Sequence, residues 1–183
     1  IATCKIRASD EITVANNRHI LGSNERGPPH QISFDGGAKN GSAGAGAILW
    51  SLSKEGHWNK AATAMVSLPG VSDTLEAEAW GIKLAIQLAT KSHILPKTAR
   101  ACGDCVPIIK YAAGQGHLRK QNIVAILEAP LGNLTKAGWT FNWEAVDRKH
   151  NTAAHQLATL ARENCPAHPA AAWAPPRGLF NWF

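Results

Sequence analysis

The sequence predicts an α/β fold: a mixed five-stranded sheet, three antiparallel strands then parallel strands, with helices on both faces. Three observations lead there. Three strand-like runs follow one another with only short turn signals between them. From residue 73 onward, helical and strand-like segments alternate. The 183 residues, 45% of them hydrophobic, suffice for one domain with its own core. Antiparallel strands followed by alternating helix and strand require a sheet of mixed direction with covered faces.

Residues 1–30 show no sustained period and end in Gly27-Pro28-Pro29, so an N-terminal arm or linker is expected there. Strands are expected at 31–38, 45–53 and 57–68, divided by Gly41/Gly44 and by Lys54-Glu55-Gly56. A helix should run from Asp73 to Lys91, with Leu75, Ala79, Ile82, Ile86 and Leu88 as its apolar stripe. Asp73-x-x-Glu76 fits a capping box at its start. Pro96 separates it from a strand at 98–103. A short helix at 105–114 tolerates Pro107 in its first turn and ends at Gly114 and Gly116. The next helix, 119–137, contains Pro130, which should kink or split it. Trp139 to Val146 alternates as a strand does, and Asn151 to Glu163 carries Ala154, Leu157, Ala158 and Leu160 on a helical stripe. The domain is thus expected over 31–163. The tail, 164–183, is rich in Pro, Ala and Trp and reads as an extended segment that docks by its aromatics or stays without fixed structure.

The net charge of +6 favours an anionic partner, most simply nucleic acid. No apolar run approaches the roughly 18 residues that span a membrane. The opening Ile-Ala-Thr-Cys-Lys has neither Met nor a signal-peptide pattern, so a fragment of a longer, intracellular protein is expected, cytoplasmic or nuclear, and monomeric. Cys102 and Cys105 form a C-x-x-C without a second pair, which reads as two reduced cysteines at a strand end.

The chemistry starts at Ile32-Ser-Phe-Asp35-Gly36-Gly37. A carboxylate inside an apolar strand is costly to bury unless its charge is compensated. Glu76 falls in the first turn of the first helix, and Asp104 ends the fourth strand. These three can converge at one end of the sheet. Clustered carboxylates repel one another unless divalent cations lie among them. Oxygen ligands with open water positions suit Mg²⁺ or Mn²⁺. Two such ions about 4 Å apart would activate a water and stabilise a leaving oxygen in phosphodiester hydrolysis. Singly, each acid has a plainer explanation as a turn former, a capping-box acid or a helix cap.

Four segments occur in order: Ser33-Phe34-Asp35-Gly36-Gly37, Leu75-Glu76-Ala77-Glu78-Ala79, Gly103-Asp104-Cys105, and Arg148-Lys149-His150-Asn151-Thr-Ala-Ala-His155-Gln-Leu157-Ala158. In these the chain resembles the ribonuclease H family, in particular its compact plant and retroelement type, over about residues 31–163. The resemblance implies a ribonuclease H-like fold and a metal-dependent endoribonuclease acting on the RNA strand of RNA–DNA hybrids. It implies Asp35, Glu76 and Asp104 as catalytic metal ligands, with Glu76 chosen over Glu78 because it fits E-x-x-A. His155 stands where the family normally carries a fourth acid, and is expected as the remaining catalytic and metal-binding residue of a two-metal Mg²⁺ or Mn²⁺ site. Gly36 and Gly37 would let RNA approach, and Lys39, Asn40 and Arg148 would touch phosphates. Asn151, in the last motif, and Ser72, which replaces one of two asparagines that face nucleic acid in the family, would be further nucleic-acid contacts. Asp73 replaces the other. An attached reverse transcriptase or other domain would fit a retroelement origin. His155 and Asp73 also support an alternative: a nucleic-acid-binding module whose chemistry is weakened or lost.

Overall fold

The computed structural model describes residues 28–164 and the strand 179–182. The expected arm lies outside the described residues up to residue 27, and so does the tail from 165 to 178. The elements are β1 (His30–Lys39), β2 (Ser42–Leu52), β3 (Trp58–Pro69), α1 (Thr74–Lys91), β4 (Thr98–Gly103), α2 (Val106–Ala112), α3 (Gln121–Lys136), β5 (Thr140–Ala145), α4 (Thr152–Glu163) and β6 (Leu179–Trp182). A single 3-10 turn, Arg148–His150, leads into α4.

The strand order is β5-β4-β1-β2-β3-β6. The expected five strands are present, antiparallel through β1, β2 and β3 and parallel through β1, β4 and β5. A sixth joins them: the end of the tail pairs antiparallel with β3, from Ala62 opposite Trp182 to Met65 opposite Leu179. The β1–β2 hairpin is tighter than the glycine spacing suggested. Asn40 (φ 53°) and Gly41 (φ 76°) form a two-residue turn, so β2 starts at Ser42 and contains Gly44 and Gly46.

Asp73 caps α1 through Oδ1, which accepts from the Leu75 N–H at 3.0 Å. The other half of the expected capping box is replaced, because Glu76 accepts from Asn122 Nδ2 on α3 at 3.0 Å. Pro130 neither splits α3 nor ends it. Buried Ile123 and Leu127 before it and Leu134 after it anchor both halves in one core, which offsets the roughly 3 kcal/mol that an internal proline costs.

The main core lies between the sheet and α1, α2 and α3, with Ile32, Phe34, Ile82, Ile86, Ile108 and Leu127 fully buried. Trp143 meets Phe141 edge-on at 5.2 Å, and Trp139 is buried. Under α4 a smaller cluster joins Ile48, Trp50, Ala153 and Leu157.

Two glycines set how closely α1 lies on β1. A Cβ on Gly36 would collide with the backbone of Ala77 and Glu78, and one on Gly81 would reach 2.8 Å from the Asp35 carbonyl oxygen. Backbone therefore packs on backbone across about one turn of the helix.

Candidate active site

Asp35 lies in the middle of β1 and is only 2% exposed. The parallel register, Ser33 beside Cys102, carries the chain past the end of β4 and sets Asp104 next to Asp35. The close seat of α1 on Gly36 supplies the third acid, Glu78, 7% exposed. One carboxylate oxygen from each of Asp35, Glu78 and Asp104 lies within 4.8 Å of the others.

Burial, and then repulsion from Asp35 and Asp104, pushes the Glu78 carboxyl up to about 9. Burial likewise raises Asp35 to about 6, against the lowering effect of a hydrogen bond from His155. Glu78 Oε2 and Asp104 Oδ1 are buried without a hydrogen-bond partner. Orphaned oxygens facing mutually repelling acids mark a place where a cation is missing from the charge balance. Three hard oxygen donors fit Mg²⁺ or Mn²⁺.

The expected site needs correction at Glu76, which is not in the cluster. It sits on the α3 side of α1, bonded to Asn122. Glu78 was legible: it lies three residues after Leu75 and four before Ile82, inside the apolar stripe. A carboxylate on a buried helix face calls for the same compensation that singled out Asp35.

His155, expected as a metal ligand, lies beside Asp35. Its Nδ1 is 2.9 Å from Asp35 Oδ2, and the group of mutually close ligand atoms does not include it. Arg148 Nη2 lies 3.2 Å from His155 Nε2 and 3.4 Å from Nδ1. The guanidinium, on the exposed 3-10 turn, thus leans against the ring at the rim of the acid cluster, and its charge lowers the Glu78 pKa.

Two expected nucleic-acid contacts are structural. Gly36 is buried beneath α1, so RNA cannot reach it. Asn151 is 1% exposed, and its Nδ2 donates to the Phe34 carbonyl at 2.8 Å. That carbonyl lies just past the last β1–β4 pair, where the ladder no longer serves it. The others remain accessible: Lys39, Asn40 and Ser72 are exposed, and Gly37 is half-buried beside Arg162. Asp73, which would repel a phosphate, is paired instead. Its Oδ2 meets Lys120 Nζ at 2.7 Å, and that bond holds its carboxyl below the usual range.

A sheet of this order, with an acid on its central strand, one on the first helix and one past the fourth strand, defines a ribonuclease H-like fold. Solved structures agree. The N-terminal RNase H domain of a Mycobacterium tuberculosis protein, fused to maltose-binding protein, superimposes with a TM-score of 0.63 at 23% identity, covering 73% of this chain and 93% of that one. RNase H1 from the halophilic archaeon Halobacterium salinarum gives 0.63 at 19% identity, covering 74% and 98%. LC11-RNase H1, solved in complex with an RNA/DNA hybrid, gives 0.58 at 15% identity, covering 73% and 96%. The model of the family described as reverse transcriptase-like matches residues 33–161. The chain belongs to this family, and its fold is that of the ribonuclease H structures. No curated protein matches the sequence. No helix among the described residues is long and apolar enough to cross a membrane.

Proposed function

We propose that the chain is a metal-dependent endoribonuclease that hydrolyses the RNA strand of RNA–DNA hybrids, acting as the ribonuclease domain of a retroelement polyprotein. The observation that carries this reading is the group of Asp35, Glu78 and Asp104, with one buried, unpartnered oxygen each on Glu78 and Asp104. Family membership and the charge of +6 support it.

Asp35, Glu78 and Asp104 would hold Mg²⁺ or Mn²⁺. When bound, the ion lowers the pKa of an attacking water and offsets charge on the phosphate. Arg148 meets the phosphate from the rim, where its guanidinium is exposed. Lys39, Asn40 and Ser72 offer further contacts to the backbone of the duplex, which position it without reading sequence. Asn151 and Gly36 keep α4 and α1 against β1, so that His155 and Glu78 stay in register with Asp35.

A second reading is a hybrid-binding module with weakened chemistry, favoured by the His155 ring that engages one oxygen of Asp35. A labelled RNA–DNA hybrid, incubated in Mg²⁺ and in Mn²⁺, separates the two. Cleavage within the RNA strand is expected. Absence of cleavage in both metals, with hybrid binding intact, overturns the enzyme reading.

A further inference from the structure

The geometry points to a centre that takes one divalent cation, not two, with Arg148, held by His155, supplying the positive charge that a second cation would bring. This rests on the nuclease reading for its purpose, but the cation count is a property of the free chain.

Two-cation phosphodiester sites hold their ions about 3.5–4 Å apart and need ligands on both sides of a shared carboxylate. On one side of Asp35 the ligands are present: Glu78 and Asp104, with oxygens close enough to share one ion. Glu78 Oε2 is buried, unpartnered and free to coordinate. On the other side of Asp35 stands His155, and neither of its ring nitrogens joins the mutually close ligand atoms.

The hydrogen-bond chemistry explains why. An ionised carboxylate can only accept, so the ring nitrogen facing Asp35 Oδ2, Nδ1, carries the proton. Arg148 Nη2 lies 3.2 Å from Nε2 and 3.4 Å from Nδ1, so the guanidinium sits against the ring between its two nitrogens and sets a permanent positive charge there. Asp35, His155 and Arg148 form a chain in which the ring nitrogen facing Asp35 holds a proton and a permanent cation lies against the ring. Glu78 and Asp104 share their group of ligand atoms with Asp35, while His155 lies between Asp35 and Arg148. A divalent ion there would have one shared carboxylate as ligand and a permanent cation beside it. Arg148 therefore fills that place electrostatically, and His155 is a positioning residue that ties the guanidinium to Asp35.

The test is a Mn²⁺ titration of the free chain, followed by calorimetry and by the electron paramagnetic resonance signal of unbound Mn²⁺. One equivalent is expected for the wild type. His155→Asp restores a carboxylate and should bind two. Arg148→Ala, on an exposed turn, removes the repelling charge, so it should gain a second, weaker equivalent even where His155→Asp fails to fold. Two equivalents in the wild type overturn the proposal, and so does a single equivalent in folded Arg148→Ala. The count needs neither hybrid nor turnover. A chain that binds one Mn²⁺ but cleaves no hybrid sinks the proposed function and leaves this inference standing.

Discussion

Asn151 reaches from the start of α4 to the backbone of Phe34, where its Nδ2 donates to the carbonyl oxygen at 2.8 Å with both groups shut off from solvent. Residue 35 follows at once in β1, and residue 155 lies one turn further along α4. The bond sets the distance across which His155 meets Asp35. Asn151→Ala leaves the carbonyl buried and unpaired, which costs about 1–3 kcal/mol. Urea denaturation should show a lower midpoint with an unchanged slope.

The choice between the two glutamates of α1 is open to direct measurement. Glu78→Gln should lower hybrid cleavage by more than about 100-fold, since even partners outside a metal's immediate ligands cost 10–100-fold. Glu76→Gln loses at most a hydrogen bond to Asn122 and should cleave within a few-fold of wild type. The reverse ranking in a cleavage assay would return the metal to Glu76.

Asp35→Asn should abolish cleavage while hybrid binding stays similar or tightens, because one negative charge near the phosphates is gone. Gel-shift titration beside the cleavage assay reads both. Full activity in this variant refutes the metal assignment.

The raised carboxyls make stability depend on pH in a definite direction. Glu78 in the folded chain holds its proton up to about 9 and Asp35 up to about 6, above their ordinary values of 4.5 and 3.8. The folded state therefore binds more protons than the unfolded state across this window, and stability falls as pH rises through it. With EDTA present, the urea midpoint should drop between pH 5 and 9. Mg²⁺ should recover much of the loss, and Glu78→Gln should flatten the profile.

Much of this was legible in local pattern. Strand and helix order follow from apolar periodicity and turn residues, and Asp35 and Asp104 stand out because acids rarely sit within or at the end of apolar strands. The rest depended on contacts between distant segments. Gly36 looks like a surface that opens a path for a ligand, yet its missing side chain is used by the backbone of α1. Asn151 reads as a nucleic-acid contact until Phe34 is found beneath it. The phase of α1 on the sheet decides between Glu76 and Glu78, and a short motif match does not report that phase, whereas the stripe through Leu75 and Ile82 does. The pairing of 179–182 with β3 joins segments more than a hundred residues apart, beyond any local signal.

That pairing also bears on how the domain keeps to itself. An uncovered edge strand is a template for any chain with free backbone donors. In this protein the middle of β3, Ala62 to Met65, is occupied by the chain's own last strand. A chain cut after residue 164 would retain every acid of the cluster and expose that template. Its cleavage per folded molecule should match the full chain, while its tendency to pair edge to edge with other copies should rise. The strand 179–182 thus covers that part of the β3 edge, away from the acid cluster on β1.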